Sequence, residues 1–143
     1  MYSEADAELE AIDSFNRCAP EVLALRVEIL HGLKKWEAMG EVAKRLSEFE
    51  PDNVHWVISY AFASGRAISI EVAKRILLRS VARFSKEGVI YFNLACYDCQ
   101  LGLIASAKDY LKRAFEIEPE WRAAALDDED LALLWNTLKH AAN

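Results

Sequence analysis

Apolar side chains recur every three or four residues along LGLIASAKDYLKRAFEIEPEW, where Ala107, Leu111, Ala114 and Ile117 share one helical face and Pro119 ends the run. The same face returns upstream in steps of 34 residues. Ala107 aligns with Ala73, Met39 and Ala5, and Leu111 with Leu77, Ala43 and Leu9. Ala114 finds Ser80, Leu46 and Ile12, while Ile104 finds Ile70, Trp36 and Tyr2. Ile117 finds Phe49 and Phe15, with Arg83 as the one misfit, and Pro51 and Pro119 lie 68 residues apart, twice the step. A fixed period of this length marks a supersecondary unit that buries its apolar face by stacking on its neighbours.

A second set of columns precedes the first. Leu23, Val57 and Tyr91 form one, and Val27, Ala61 and Ala95 another, with small residues where two helices cross closely. Leu33, Ala67 and Leu101 fall near the bend, and Gly32, Gly65 and Gly102 lie within about a residue of it, where a helix ends in left-handed conformation. Each unit therefore predicts a helical hairpin. Ser69 with Glu71, and Ser3 with Asp6, read as helix starts, and Pro20 suits a first turn. Residues 2–19 carry only the second-helix columns and predict an opening half-unit. Full units follow at 20–53, 54–87 and 88–121. After Trp121, RAAALDDEDLALLWNTLKHAAN has Leu131, Leu134, Trp135 and Leu138 at helical spacing behind a start at Asp127 or Asp128, which predicts one closing helix over 122–143. The expectation is a single all-α domain over 1–143, with about eight helices.

The segment YFNLACYDCQLGLIASAKDYLKRAFEIEP carries Tyr91, Leu94, Ala95, Gly102, Ala107, Ala114 and Pro119 in the order of the tetratricopeptide repeat (TPR) family, which it resembles. Residues 20–53 have Arg26 where Leu is usual, and residues 54–87 have Ser85 in place of the closing Pro. The resemblance implies a right-handed superhelical solenoid of TPR helix hairpins with a C-terminal capping helix, acting as a protein-interaction module, adaptor or scaffold. It also implies that first helices line a concave groove. Carried onto this chain, the groove positions are Ala24, Ile58 and Phe92; Leu25, Ser59 and Asn93; Glu28, Phe62 and Cys96; with His55 and Val89 at the upstream edge. Such a surface is mostly apolar and suits a hydrophobic helix or extended peptide of another protein, with Asn93 at a place where family members contact a peptide main chain. The basic clamp that holds acidic chaperone tails needs Lys, Arg and Asn where this chain has Ala24, Glu28, Ser59 and Val89, so that ligand is not expected. The same aromatics fit equally well as core between layers, since large apolar side chains are usually interior. An end helix or a second copy of the chain is a further candidate to fill the concavity.

Composition narrows the function without naming a partner. The 143 residues are 53% hydrophobic and 28% charged, outside disordered composition. A net charge of −6 disfavours a general grip on nucleic acid or an anionic membrane surface. No window reaches the length of a membrane span, and MYSEADAELE is acidic where a secretory signal is basic and then apolar, so a cytoplasmic location is expected. Three cysteines do not make a disulfide framework. Cys96 and Cys99 sit mid-helix, and His31, His55 and His140 form no paired motif with them, so no metal site and no cofactor are expected. His31 and His140 read as surface or helix-end residues, and the four Trp as packing between layers. The run DDED lacks the alternation and Gly of a calcium loop and reads as a helix cap. With no phosphate loop or nucleophile motif, catalysis is not expected. Two other readings stand beside the binding module: a self-associating scaffold, built as a homo-oligomer through end helices or groove, and a thiol or metal sensor using Cys96 and Cys99.

Overall fold

The computed structural model describes residues 3–5 and 19–141. Residues 3–5 are helical; Leu9, Ile12 and Phe15 of the expected opening helix lie outside the described residues. From residue 20 onward run α1 (Pro20–Gly32), α2 (Trp36–Phe49), α3 (Val54–Ala67), α4 (Ile70–Ser80), α5 (Gly88–Gln100), α6 (Ile104–Ile117), α7 (Trp121–Asp127), a 3₁₀-helix (Glu129–Leu134) and α8 (Trp135–Ala141). The described residues contain no strand, and none of their helices is long and apolar enough to cross a membrane. By its internal contacts the chain divides into two compact units, Met1–Ile76 and Leu77–Asn143.

Helix boundaries repeat with the sequence period. Adding 68 to the ends of α1 and α2 gives the ends of α5 and α6, because both pairs turn in the same way. In the first, Lys34 N–H donates to His31 O and Lys35 N–H to Leu30 O; in the second, Gly102 N–H donates to Cys99 O and Leu103 N–H to Asp98 O. Both are Schellman motifs, which satisfy the last carbonyls of a helix and need one residue in the left-handed region. That residue is Gly102 (φ 78) in one turn and Lys34 (φ 57) in the other. The glycines do not all mark the bend as expected: Gly32 is the last helical residue of α1, and Gly65 lies inside α3, where a Cβ would stand 3.2 Å from the Ala73 Cβ on α4. Helix α4 is shorter than its counterparts, ending at Ser80 and passing into turns over 81–86. Arg83, the residue that breaks the Ile117 column, falls just after that early end.

In the first unit α1 packs on α2 and α2 on α3. Their core joins Leu23, Val27, Leu30, Met39, Ala43, Leu46, Trp56 and Ala63. In the second unit α5 packs on α6 and on the 3₁₀-helix. Ile90, Leu94, Ala95, Ala107, Leu111 and Ala114 are buried, and the fully buried Asp98 accepts a hydrogen bond from the Ser106 hydroxyl of α6. Alanines at these crossings let helix backbones approach, which long side chains would prevent.

The C-terminal segment is not one closing helix. Asp128 adopts an extended conformation (φ −90, ψ 115) and its Oδ1 accepts from Asp130 N–H, so the acidic run stops α7 and caps the 3₁₀-helix, as the cap reading of DDED expects. Leu131, Leu134 and Leu138 are buried, and the Trp135 indole N–H donates to Ala125 O. Two other starts are capped by local side chains: Ser69 Oγ accepts from Val72 N–H, and Asn53 Oδ1 from His55 N–H.

The two Schellman turns make a reciprocal test. Lys34→Gly should stabilise the protein and Gly102→Lys destabilise it, by about 1 kcal/mol each, because only a residue with a Cβ resists positive φ. Nothing lies within 4 Å of a Cβ at Gly102, so the second change reports backbone strain and not crowding. Urea unfolding followed by circular dichroism reads both.

Candidate functional site

On α1, residues 24, 28 and 31 follow one another at helical spacing, as do residues 55, 58 or 59, 62 and 66 on α3. The ring of His31 stacks on Phe62 with centroids 5.5 Å apart, which joins the last turn of α1 to α3 in the first unit. Trp36, the first residue of α2, closes the group edge-on, 5.4 Å from His31 and 5.5 Å from Phe62. The Arg66 guanidinium lies over the Trp36 ring at 5.3 Å. Phe62 remains 37% exposed and His31 is also at the surface, so the cluster presents aromatic area to solvent. Leu25 is 49% exposed and Glu28 and His55 are exposed, His55 resting on Trp56; Ala24 and Ile58 are half-buried, and Ser59 is buried.

Trp36 also forms a wall of a cavity of about 460 Å³ between α2, α3 and the start of α4. Gly40, Tyr60, Ser64, Ile68 and Val72 line it with Glu37, Glu41 and Lys44 at the rim. None of the eleven expected groove residues lines this cavity. A Cβ at Gly40 would sit 3.6 Å from Ala63 Cβ, an ordinary contact, so the cavity does not depend on glycine there. Sequence reasoning set aside Trp36 as packing and His31 as a helix end. The available signal was their joint place at one hairpin turn, five residues apart.

The second unit treats its expected residues differently. Phe92 is 6% exposed and stacks on Trp121 at 4.6 Å, and Cys96 is 4% exposed. Both belong to the interior and offer almost no surface, because α7 and the 3₁₀-helix pack on the side of the α5–α6 pair where open surface was expected. Asn93 is half-buried and spends its Nδ2 donor on Val89 O, one turn back on its own helix.

Cys96 and Cys99 are free thiols, both buried. Cys96 Sγ–H donates to Asp128 Oδ2 at 3.8 Å, and Cys96, Asp128 and Asp130 each offer one ligand atom within 4.8 Å of the others. These are the residues of this unit that could approach a metal ion; Asp128 already caps the 3₁₀-helix through its other oxygen. Burial, and then the carboxylates of Asp128 and Asp130, push the Cys96 thiol well above its ordinary range. Burial, then the neighbouring Cys96 and Asp130, do the same to the Tyr97 phenol. Burial and Asp130 raise Cys99, opposed by a backbone hydrogen bond from Leu133. Such thiols are packing groups that resist ionisation, the reverse of a reactive cysteine.

No family model matches the chain, and no curated protein matches it. Architecture sets the class: a helical, repeat-like protein whose helices pack in adjacent pairs and whose aromatic residues cluster at the surface of the first unit.

The raised thiol has a consequence for stability. Above the thiol's unfolded pKa of about 8.5, the unfolded chain releases a proton that folded Cys96 retains, so the unfolding free energy falls as pH rises. Cys96→Ala should make this decline shallower by up to one proton per molecule between about pH 8.5 and 10. Urea titrations at several pH values measure the difference in slope.

Proposed function

We propose that this chain is a tetratricopeptide-type interaction module, a solenoid of helix hairpins, that holds a peptide or helix of another protein against the side of the first unit made by α1 and α3. One observation carries the reading: the His31–Trp36–Phe62 cluster leaves aromatic surface exposed on neighbouring helices. Aromatic side chains contribute much contact area for little lost rotamer freedom and are enriched at interface hot spots. Leu25 extends the apolar surface of α1, and Glu28, His55 and Arg66 supply polar groups for orientation. The cavity beside Trp36 supplies a recess for an anchoring side chain. The 34-residue columns and the recurrence of helix ends and Schellman turns at twice that step support the family reading. The reading involves no catalytic step and no cofactor.

The test compares the full chain with Phe62→Glu, a change at an exposed position that should leave helicity intact. Both are immobilised and incubated with native lysate, and retained proteins are quantified. A partner held saturably by the parent chain should bind at least about tenfold more weakly to the variant. Equal retention by both chains overturns the site, and absence of any saturable partner overturns the module. Light scattering over a concentration series covers the scaffold alternative: a mass that rises with concentration and falls on Phe62→Glu places a second copy of the chain on this surface.

A further inference from the structure

The second unit carries a different surface, in a groove of about 450 Å³ between α6 and the C-terminal helices. Leu111 and Leu138 form its floor, 1% and 7% exposed, and Phe115 stands half-buried beside them. Three cations rim it. Lys108 and Lys112 project from α6 one turn apart, and Arg122 comes from α7 with its guanidinium 4.8 Å over the Phe115 ring. Among the described residues Glu116 is the one acidic lining residue. This excess of positive charge occurs in a chain of net charge −6, so it runs against the composition around it.

Among the described residues Lys108 and Lys112 are exposed and engaged in no ion pair. Two lysines at i and i+4 leave the helix about 6 Å apart, on one face, as do acidic residues one turn apart on a partner helix. Arg122 is already oriented by Phe115, so little freedom is lost when it meets an acid. Phe115, half-buried among these cations, is the apolar ring the groove still presents to solvent, and a large apolar side chain between the acids would cover it.

We propose that this groove docks an acidic amphipathic helix of a partner protein, which seats Leu or Phe anchors against Phe115, above the buried Leu111 and Leu138, and aims Glu or Asp at Lys108, Lys112 and Arg122. The inference does not rest on the aromatic site of the first unit, and the two are separable by mutation.

The experiment uses the full chain and a fluorescein-labelled synthetic helix about 16 residues long, long enough to be partly helical alone. The probe carries Leu anchors on one face with Glu at i and i+4 on either side. Fluorescence anisotropy should show saturable binding that weakens with added salt and is unchanged by Phe62→Glu. The double variant Lys108→Glu/Lys112→Glu alters only exposed charge and should weaken binding by about tenfold or more. A probe with Lys in place of Glu should recover affinity for the double variant and not for the parent chain, which excludes unfolding as the cause of the loss. Replacing the Leu anchors by Ser should abolish binding. The proposal is overturned by absence of saturation, by equal affinity of the two probe charges for the parent chain, or by binding that survives loss of the anchors. It is also overturned if an oligonucleotide binds as tightly as the acidic probe, or if the double variant converts a dimer to a monomer, which would make the groove a self-association surface.

Discussion

A helix of thirteen or fourteen residues is marginal in water by itself, because nucleation is unfavourable and few hydrogen bonds repay it. Helices α1 to α3, and α5 and α6, are of this length, so each depends on a neighbour to cover its apolar stripe. That mutual covering is the constraint behind the rest of the structure. It explains why contacts run between sequential helices, why alanines occupy the crossings, and why the turns between partners must close tightly. Schellman turns supply such closure by satisfying the last carbonyls while reversing the chain. The strain at Lys34 is tolerated because packing on both sides of the turn over-determines its conformation.

The same demand for cover separates the two units in what they expose. In the first, the rings of His31, Trp36 and Phe62 contact one another and leave their outer edges in solvent. In the second, the 3₁₀-helix and the helices around it supply cover from within the chain, so Phe92 stacks on Trp121 and Cys96 meets Asp128. Equivalent columns of one repeat thus become surface in one unit and interior in the other. The second unit keeps a groove between α6 and the C-terminal helices, where lysines of α6 stand at the rim.

Charge plays a local part. The acidic run at 127–130 ends a helix, caps a 3₁₀-helix and adds to the burial that keeps the Cys96 thiol protonated, all through short-range contacts. The net acidity of the chain says nothing of these roles, nor of the basic rim on α6.

The 34-residue columns, read from residue types alone, were enough to indicate an all-α chain whose helices pack in adjacent pairs, because the period of apolar residues is imposed by the geometry of a helix that must be covered on one face. The C-terminal segment was legible as to its buried residues, Leu131, Leu134 and Leu138, but not as to its division, since side-chain spacing does not reveal that Asp128 turns the backbone extended. Which columns face solvent was beyond the sequence: Phe62 and Cys96 share a column, yet one is exposed and the other buried. Pattern records which side of a helix is apolar. Whether another element lies across that side is a long-range fact, decided only when the chain has folded back on itself.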